Sequence, residues 1–232
     1  SLKKLRELDL STNSVNKIEL LAFNESSKLQ ILKLRNNQLS TLPDGSFWGL
    51  ITLKKLILDD NQIEHVRLNW TFGLSSLQEL SLKRNSIKNI SIGSFGPMKR
   101  LNKLLLSDNQ IQKLQGGIFD GLKELQVLRL GNNQVNFIDE NIFHRLDSLE
   151  TLDLSHNFLS WSFERTRGLF SKLPNLLKLR LNNNKIRLLR SNTFDGCEKV
   201  KELDLSSNPL TTIEPEVFTR LHDLEILNFN ST

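Results

Sequence analysis

Leu5-Arg6-Glu7-Leu8-Asp9-Leu10-Ser11-Thr12-Asn13-Ser14-Val15-Asn16-Lys17-Ile18 decides the fold, because the chain repeats it. The pattern L-x-x-L-x-L-x-x-N-x-L-x-x-L, with Phe23 five residues on, returns at Leu29, Leu32, Leu34, Asn37, Leu39, Leu42 and Phe47. It starts again at Leu53, Leu77, Leu101, Leu125 and Leu149, each 24 residues after the last, then at Leu176 and Val200, and in truncated form at Leu224. Nine full copies and part of a tenth fill the 232 residues and predict one array over 1–232, with no second domain.

Each recurring residue has a physical task. Alternation at Leu8 and Leu10 marks a short strand with one buried face. One such strand cannot bury that face alone, so copies from successive repeats must stack into a parallel sheet. An asparagine recurs at 13, 37, 61, 85, 109, 133, 157, 184 and 208. Turned inward, its two donors and one acceptor can satisfy backbone groups freed where the chain leaves the strand. Phenylalanine at 23, 47, 95, 119, 143, 170, 194 and 218 fills the opposite side. That side is bulkier, so the stack bends with its strands on the inside. The expected fold is an α/β horseshoe, a leucine-rich repeat solenoid with a parallel concave β-sheet. Its convex side should be mostly loops and short helical turns, as over residues 113–122. The segments are too short for the 28–29-residue class and lack a G-x-I-P insertion, which leaves the class typical of animal cell-surface and secreted proteins.

Composition excludes several functions. The net charge is +5, with 31 Lys and Arg set among 26 Asp and Glu, a mixed surface rather than a nucleic-acid footprint. No apolar run approaches the ~18 residues that span a bilayer, and no signal peptide opens the sequence, so any membrane attachment belongs to segments outside it. The terminal repeats have no caps over their apolar edges, and a native cap is expected to follow Leu224, Leu227 and Phe229. Cys197 is the only cysteine and stands where sister repeats have Leu50 and Leu122, which makes it a core filler. His65, His144, His156 and His222 lie in separate repeats with no metal-ligand spacing; His156 beside Asp153 reads as a surface pair. No phosphate loop and no nucleophile motif occurs, so neither enzymatic activity nor a cofactor is expected.

Strand residues flanking the buried leucines should face outward from the concave sheet. Between two acidic ends, Ile31, Lys33, Arg35, Lys55, Ile57, Asp59, Lys83, Lys103, Leu105, Val127 and Arg129 interleave apolar and cationic side chains, the composition of a protein-binding hot spot. The same residues could instead pack across strands. Asn24, Asn69, Asn89 and Asn230 head N-x-S/T sequons and are candidate glycosylation sites; Asn230 would sit on the last strand. With 24 Asn and 34 Ser plus Thr, about three to four sequons arise by chance, so they do not by themselves establish secretion.

Four stretches carry a family resemblance. Leu159-Ser160-Trp161, followed by Gly168-Leu169-Phe170-Ser171, lengthens one repeat to 27 residues. Asn69-Trp70-Thr71-Phe72-Gly73-Leu74 moves the aromatic one place early, and Phe47-Trp48-Gly49-Leu50 and Leu227-Asn228-Phe229-Asn230-Ser231-Thr232 add to the match. Over essentially its whole length the chain resembles the repeat domain of the LRIG (leucine-rich repeats and immunoglobulin-like domains) family, departing from it around Phe95-Gly96-Pro97-Met98. The resemblance implies a glycosylated extracellular segment of a single-pass membrane receptor that modulates growth-factor receptor signalling. It also implies a disulfide-bonded cap, immunoglobulin-like domains, a membrane span and a cytoplasmic tail beyond these residues. The implied partner is another protein, such as a receptor ectodomain, with self-association also open. The rival reading is a structural extracellular-matrix repeat protein, which predicts Ser-Gly attachment sites; the sequence contains no Ser-Gly dipeptide.

Overall fold

The structure, a computed structural model, describes residues 3–160 and 168–230. Its strands in chain order are β1 (Glu7–Asp9), β2 (Ile31–Lys33), β3 (Lys55–Ile57), β4 (His65–Val66), β5 (Glu79–Ser81), β6 (Asn89–Ile90), β7 (Lys103–Leu105) and β8 (Lys113–Leu114). They continue as β9 (Val127–Arg129), β10 (Phe137–Ile138), β11 (Thr151–Asp153), β12 (Lys178–Arg180), β13 (Leu188–Leu189), β14 (Glu202–Asp204), β15 (Thr212–Ile213) and β16 (Ile226–Asn228). Ten of them form one parallel sheet, β1-β2-β3-β5-β7-β9-β11-β12-β14-β16, the solenoid that the repeat predicts. Leu8 pairs with Leu32, Leu32 with Leu56, Leu56 with Leu80, and the offset stays in step to the end. Between β11 and β12 the offset is 27 residues and the register still holds, Leu152 opposite Leu179. The three extra residues are therefore taken up outside the sheet. Trp161, part of the inserted element, lies outside the described residues.

The asparagines do more than close their own turn. Asn109 Nδ2 donates to Leu106 O in its own repeat (3.0 Å) and to Leu82 O in the preceding one (3.0 Å), while Oδ1 accepts the Ile87 N–H (3.0 Å). Asn37, Asn61, Asn85, Asn133 and Asn157 repeat this arrangement. Each of these side chains binds two repeats together where a buried, unpaired backbone group would cost about 1–3 kcal/mol. The residue just before each asparagine is left-handed, from Arg84 (φ 49) to Asp108 (φ 59), and Thr12 (φ 57) is among them. A β-branched residue is strained there, so the tight turn that aims the asparagine inward is imposed by the stack rather than by local preference.

The aromatics stack on the other side. Ring centroids lie 6.3 Å apart for Phe23 and Phe47, 6.3 Å for Phe95 and Phe119, 6.1 Å for Phe143 and Phe170, 6.4 Å for Phe170 and Phe194, and 6.0 Å for Phe194 and Phe218. Strands in a sheet are only about 4.7–4.9 Å apart. The aromatic side of each repeat is thus longer than the strand side, which makes the sheet concave. In the third repeat Trp70 takes the column, fully buried and edge-on to Phe47 at 5.7 Å. Thr71, at the vacated position, turns its hydroxyl to Ser94 O (2.9 Å). Trp70 Nε1 is buried without a hydrogen-bond partner, a cost accepted for the volume of the indole.

Two expectations need correction. Residues 113–122, read as loop or helical turn, begin with a strand: β8 pairs in parallel with β10, as β4 does with β6 and β13 with β15. The spacing of Ile111 and Leu114, both buried, resembles a helix, but the pairing partner is the next repeat, which no local period reveals. Asn230 lies not on the last strand but two residues beyond β16, exposed in a turn.

Cys197 is buried in the core with Sγ 3.9 Å from Phe170 O, and burial, with Glu198 and Asp195 nearby, pushes its thiol up to about 12. At pH 8 the thiolate is therefore a minute fraction, and an aromatic disulfide reagent should label the native protein only as it unfolds, with the rate rising in urea. Prompt labelling without denaturant would contradict the packing. Replacing Asn109 by Ala should leave the buried Ile87 N–H without a partner and strip one of two donors from Leu82 O and Leu106 O, which keep Asn85 and Asn133, at a cost of about 1–3 kcal/mol. The neighbouring Gln110→Ala, measured alongside by urea unfolding, should stay within about 0.5 kcal/mol.

Candidate protein-binding surface

The strand period puts the residues between the leucines on the concave face, and the register sets their neighbours. Lys33 lies opposite Ile57, and Leu105 opposite Arg129, so Ile31 is diagonal to Ile57 and Leu105 to Val127. Ile31, Lys33, Lys55, Ile57, Lys83, Lys103 and Val127 are half-buried, and Arg35 and Arg129 are exposed. Asp59 and Leu105 depart from the expected outward set, at 5% exposure each. Strands this close let the flanking side chains close over a small apolar one, so Leu105 adds stability to the sheet and little contact surface. Asp59 is covered because it is used: it accepts the Ser81 hydroxyl (2.5 Å) and the Lys83 N–H (2.9 Å) of the next strand.

The cations of this face are largely matched within the molecule. Lys33 Nζ reaches Glu7 (2.6 Å) and Asp9 (3.5 Å), Lys55 (3.2 Å) and Lys103 (3.6 Å) share Glu79, and Lys83 meets Asp59 at 3.5 Å. Arg35 and Arg84 both hold Asp60, at 2.8 and 2.5 Å, and their hydrogen bonds, Arg84 first, keep its carboxyl below the usual carboxylate range. The hydrogen bond from Ser11 does the same for Asp9, whereas the bond to Glu7 raises Lys33. Toward the other end Lys178 pairs with Glu202 and Arg180 with Asp153. Arg129 is the concave-face cation with no ion pair among the described residues. Such exposed pairs contribute little stability each, but they fix where side chains lie and leave no continuous positive stripe.

The remaining polar candidates are scattered. All four histidines are exposed in separate repeats; His65 comes within 3.9 Å of Glu64, and Asp153 is occupied by Ser155 (2.6 Å) rather than by His156. Among the described residues no group of three His, Cys, Asp or Glu is placed to hold a metal ion, and no helix is long and apolar enough to cross a membrane. A concave cleft at β12, β14 and β16 has a volume of about 110 Å³, and a wider open one of about 600 Å³ is lined by Asp9, Lys33, Arg35 and Asp60. The sequon asparagines lie off the concave strands. Asn24 is exposed in a turn beside the aromatic column, Asn69 donates to Asp44 Oδ2 (3.0 Å), and Asn89 is the outward residue of β6. Two aromatic side chains on that same side, Trp48 and Phe72, are exposed beside the buried Phe47 and Trp70, and the repeat pattern gives them no role.

Comparison with known proteins agrees with this geometry. Among solved structures, a chain of the Toll–Spatzle complex of Drosophila shares the fold at 24% identity and TM-score 0.78, over 98% of this chain and 33% of that one. A chain of the TLR13–ssRNA13 complex does so at 26% and 0.75, over 98% and 40%. A chain of the octameric complex of Latrophilin 3, Unc5D and FLRT2, in which FLRT2 contributes the leucine-rich repeat part, does so at 27% and 0.74, over 96% and 74%. The chain thus spans about a third of the Toll-complex chain and two-fifths of the TLR13-complex chain. No curated protein matches it by sequence. The family model for the leucine rich repeat matches residues 3–53, 51–111, 99–159 and 166–210. With the 24-residue register, the asparagine bridges and the aromatic column all in place over those segments, the chain belongs to the leucine-rich repeat family.

Proposed function

We propose that this chain is the protein-binding module of an extracellular, cell-surface receptor-type protein, and that it binds through its concave sheet. One observation carries the reading. A ten-stranded parallel sheet offers solvent-facing positions that the fold does not need, on a frame held rigid by asparagine bridges. A standard interface takes about 800 Å² from each partner, which a few adjacent strands supply. The FLRT2 repeat domain, in complex with Unc5D and Latrophilin 3, is a precedent for a protein partner. The TLR13 complex contains single-stranded RNA, but here the concave cations are matched by carboxylates, which disfavours a polyanion. The resemblance to the LRIG family supports a finer reading, modulation of growth-factor receptor signalling through a receptor ectodomain. The absence of Ser-Gly in the sequence weighs against the matrix alternative.

Binding energy then rests on Ile31, Ile57, Val127 and the unpaired Arg129. Titration against a panel of growth-factor receptor ectodomains tests this, with melting temperature measured on every variant. Ile57→Asp should weaken binding by about 2 kcal/mol with little change in melting temperature. Arg129→Glu should slow association and alter its salt dependence. Leu105→Asp should instead lower the melting temperature, since it places a charge in a covered position. Binding left intact in both Ile57→Asp and Arg129→Glu would remove the concave face from the proposal.

A further inference from the structure

The large exposed hydrophobic residues are unevenly distributed. Leu20, Trp48, Ile51, Leu68, Phe72 and Ile92 are between 43% and 63% exposed, and all fall in the first four repeats. Among the described residues beyond 92, Phe158 stands alone in the middle of the array, and Ile213, Ile226 and Leu227 lie in its last two repeats. The side chains of the first four repeats gather beyond the strands, in one column that runs Leu20, Asp44, Leu68 and Ile92 and another that holds Trp48 and Phe72. A Cβ on Gly45 would stand 3.0 Å from Leu20 Cδ1, one on Gly93 3.6 Å from Leu68 Cδ1, and one on Gly117 3.0 Å from Ile92 Cγ2. Each apolar side chain thus lies against the glycine turn of the next repeat. A Cβ on Gly73 would be 3.3 Å from Trp48 Cα, which places Phe72-Gly73 directly on the Trp48 turn. Exposed apolar side chains gathered in this way into a strip along neighbouring repeats are normally covered by something.

The sequons share that distribution. Three of the four, at Asn24, Asn69 and Asn89, fall within the same stretch, and none lies between 93 and 229. Asn24 and Trp48 occupy the same position in successive repeats, and a Cβ on Gly49 would be 2.7 Å from Asn24 Cα, so the two turns touch. Asn69 stands between Leu68 and Trp70, three residues before Phe72, and Asn89 three residues before Ile92. Asn69 Nδ2 donates to Asp44 Oδ2, and an N-linked sugar replaces one amide hydrogen and leaves the other for that bond. Asp44 would then set the direction of the glycan.

We propose that N-linked glycans on Asn24, Asn69 and Asn89 cover this apolar strip, with the non-polar faces of their first sugars resting on Trp48 and Phe72. The proposal rests on the extracellular reading. Bulky, hydrated carbohydrate would make the convex side of the first four repeats non-adhesive, leaving the concave sheet as the surface open to partners. To test it, the chain is secreted from animal cells behind a cleavable leader, and its glycans are mapped by peptide mass spectrometry. Its mass in solution and its binding of a dye specific for apolar surface are then measured before and after enzymatic deglycosylation. The expected result is a monomer that gains several-fold dye binding and self-associates once deglycosylated, with both changes suppressed in the Trp48→Ser, Phe72→Ser variant. Occupied sequons whose removal changes neither quantity would overturn the covering role and leave the extracellular reading standing. Secreted protein with none of the three modified would count against both. Self-association of the glycosylated form, abolished by the same two substitutions, would make the strip an interface between copies and overturn the proposal. So would self-association of the deglycosylated form that survives them.

Discussion

Every other feature of the molecule depends on a buried asparagine amide shared between two repeats. In one side chain Asn85 satisfies Leu58 O and the Ile63 N–H of the preceding repeat and Leu82 O of its own. Asn13, in the first repeat, bonds only Leu10 O and Ser11 O within its own turn and stays exposed. The amide is thus a coupling between neighbours and not a property of the single unit. In a solenoid each repeat contacts only its neighbours, so nearest-neighbour terms must hold the register alone. The directed hydrogen bonds act together with the leucines, which a one-residue slip would turn to the wrong face of the sheet.

The irregular repeat shows how strong the coupling is. Between Leu149 and Leu176 the chain is three residues longer, yet Asn184 still donates to Leu154 O (3.0 Å) and to Leu181 O (3.0 Å). Its Oδ1 still accepts the Leu159 N–H, at a longer 3.3 Å. β11 and β12 stay in register, and so do the rings of Phe143 and Phe170 at 6.1 Å. Strand, amide and ring are each held in line across the insertion. The register of the described elements is thus indifferent to the greater length of this repeat.

This division explains what the sequence reveals and what it hides. The leucines, asparagines and aromatics answer to a one-dimensional period, so the sheet, its concavity and even the displaced Trp70 can be read from spacing. Lateral relations cannot. Leu105 and Asp59 are covered by residues of adjacent strands, and β8 becomes a strand only because β10 lies beside it. The outward strand positions follow from alternation alone, but which of their charges remains unmatched does not. Lys55 and Lys103 are 48 positions apart and meet on Glu79 between them, whereas Arg129 finds no carboxylate. The exposed apolar strip was hidden for the same reason. Spacing assigns Phe47 and Trp70 to the aromatic column but does not say where the extra aromatics, Trp48 and Phe72, lie.

The internally matched charges also bear on how such a face discriminates. A partner that approaches Lys33 or Lys55 meets a side chain already held by Glu7 or Glu79. It gains a charge-assisted contact there only by displacing a carboxylate, and the exchange returns little net energy. A partner with the wrong charge pattern, however, loses existing pairs and gains none. The paired ladder therefore penalises mismatches more than it rewards matches, which is specificity by exclusion. Affinity must come from groups whose free state is less satisfied: the half-buried Ile31, Ile57 and Val127, and Arg129, whose guanidinium has only water to leave. Those two roles sit on neighbouring positions of the same strands, so the sheet that holds the repeats in register also holds recognition and rejection at a fixed spacing.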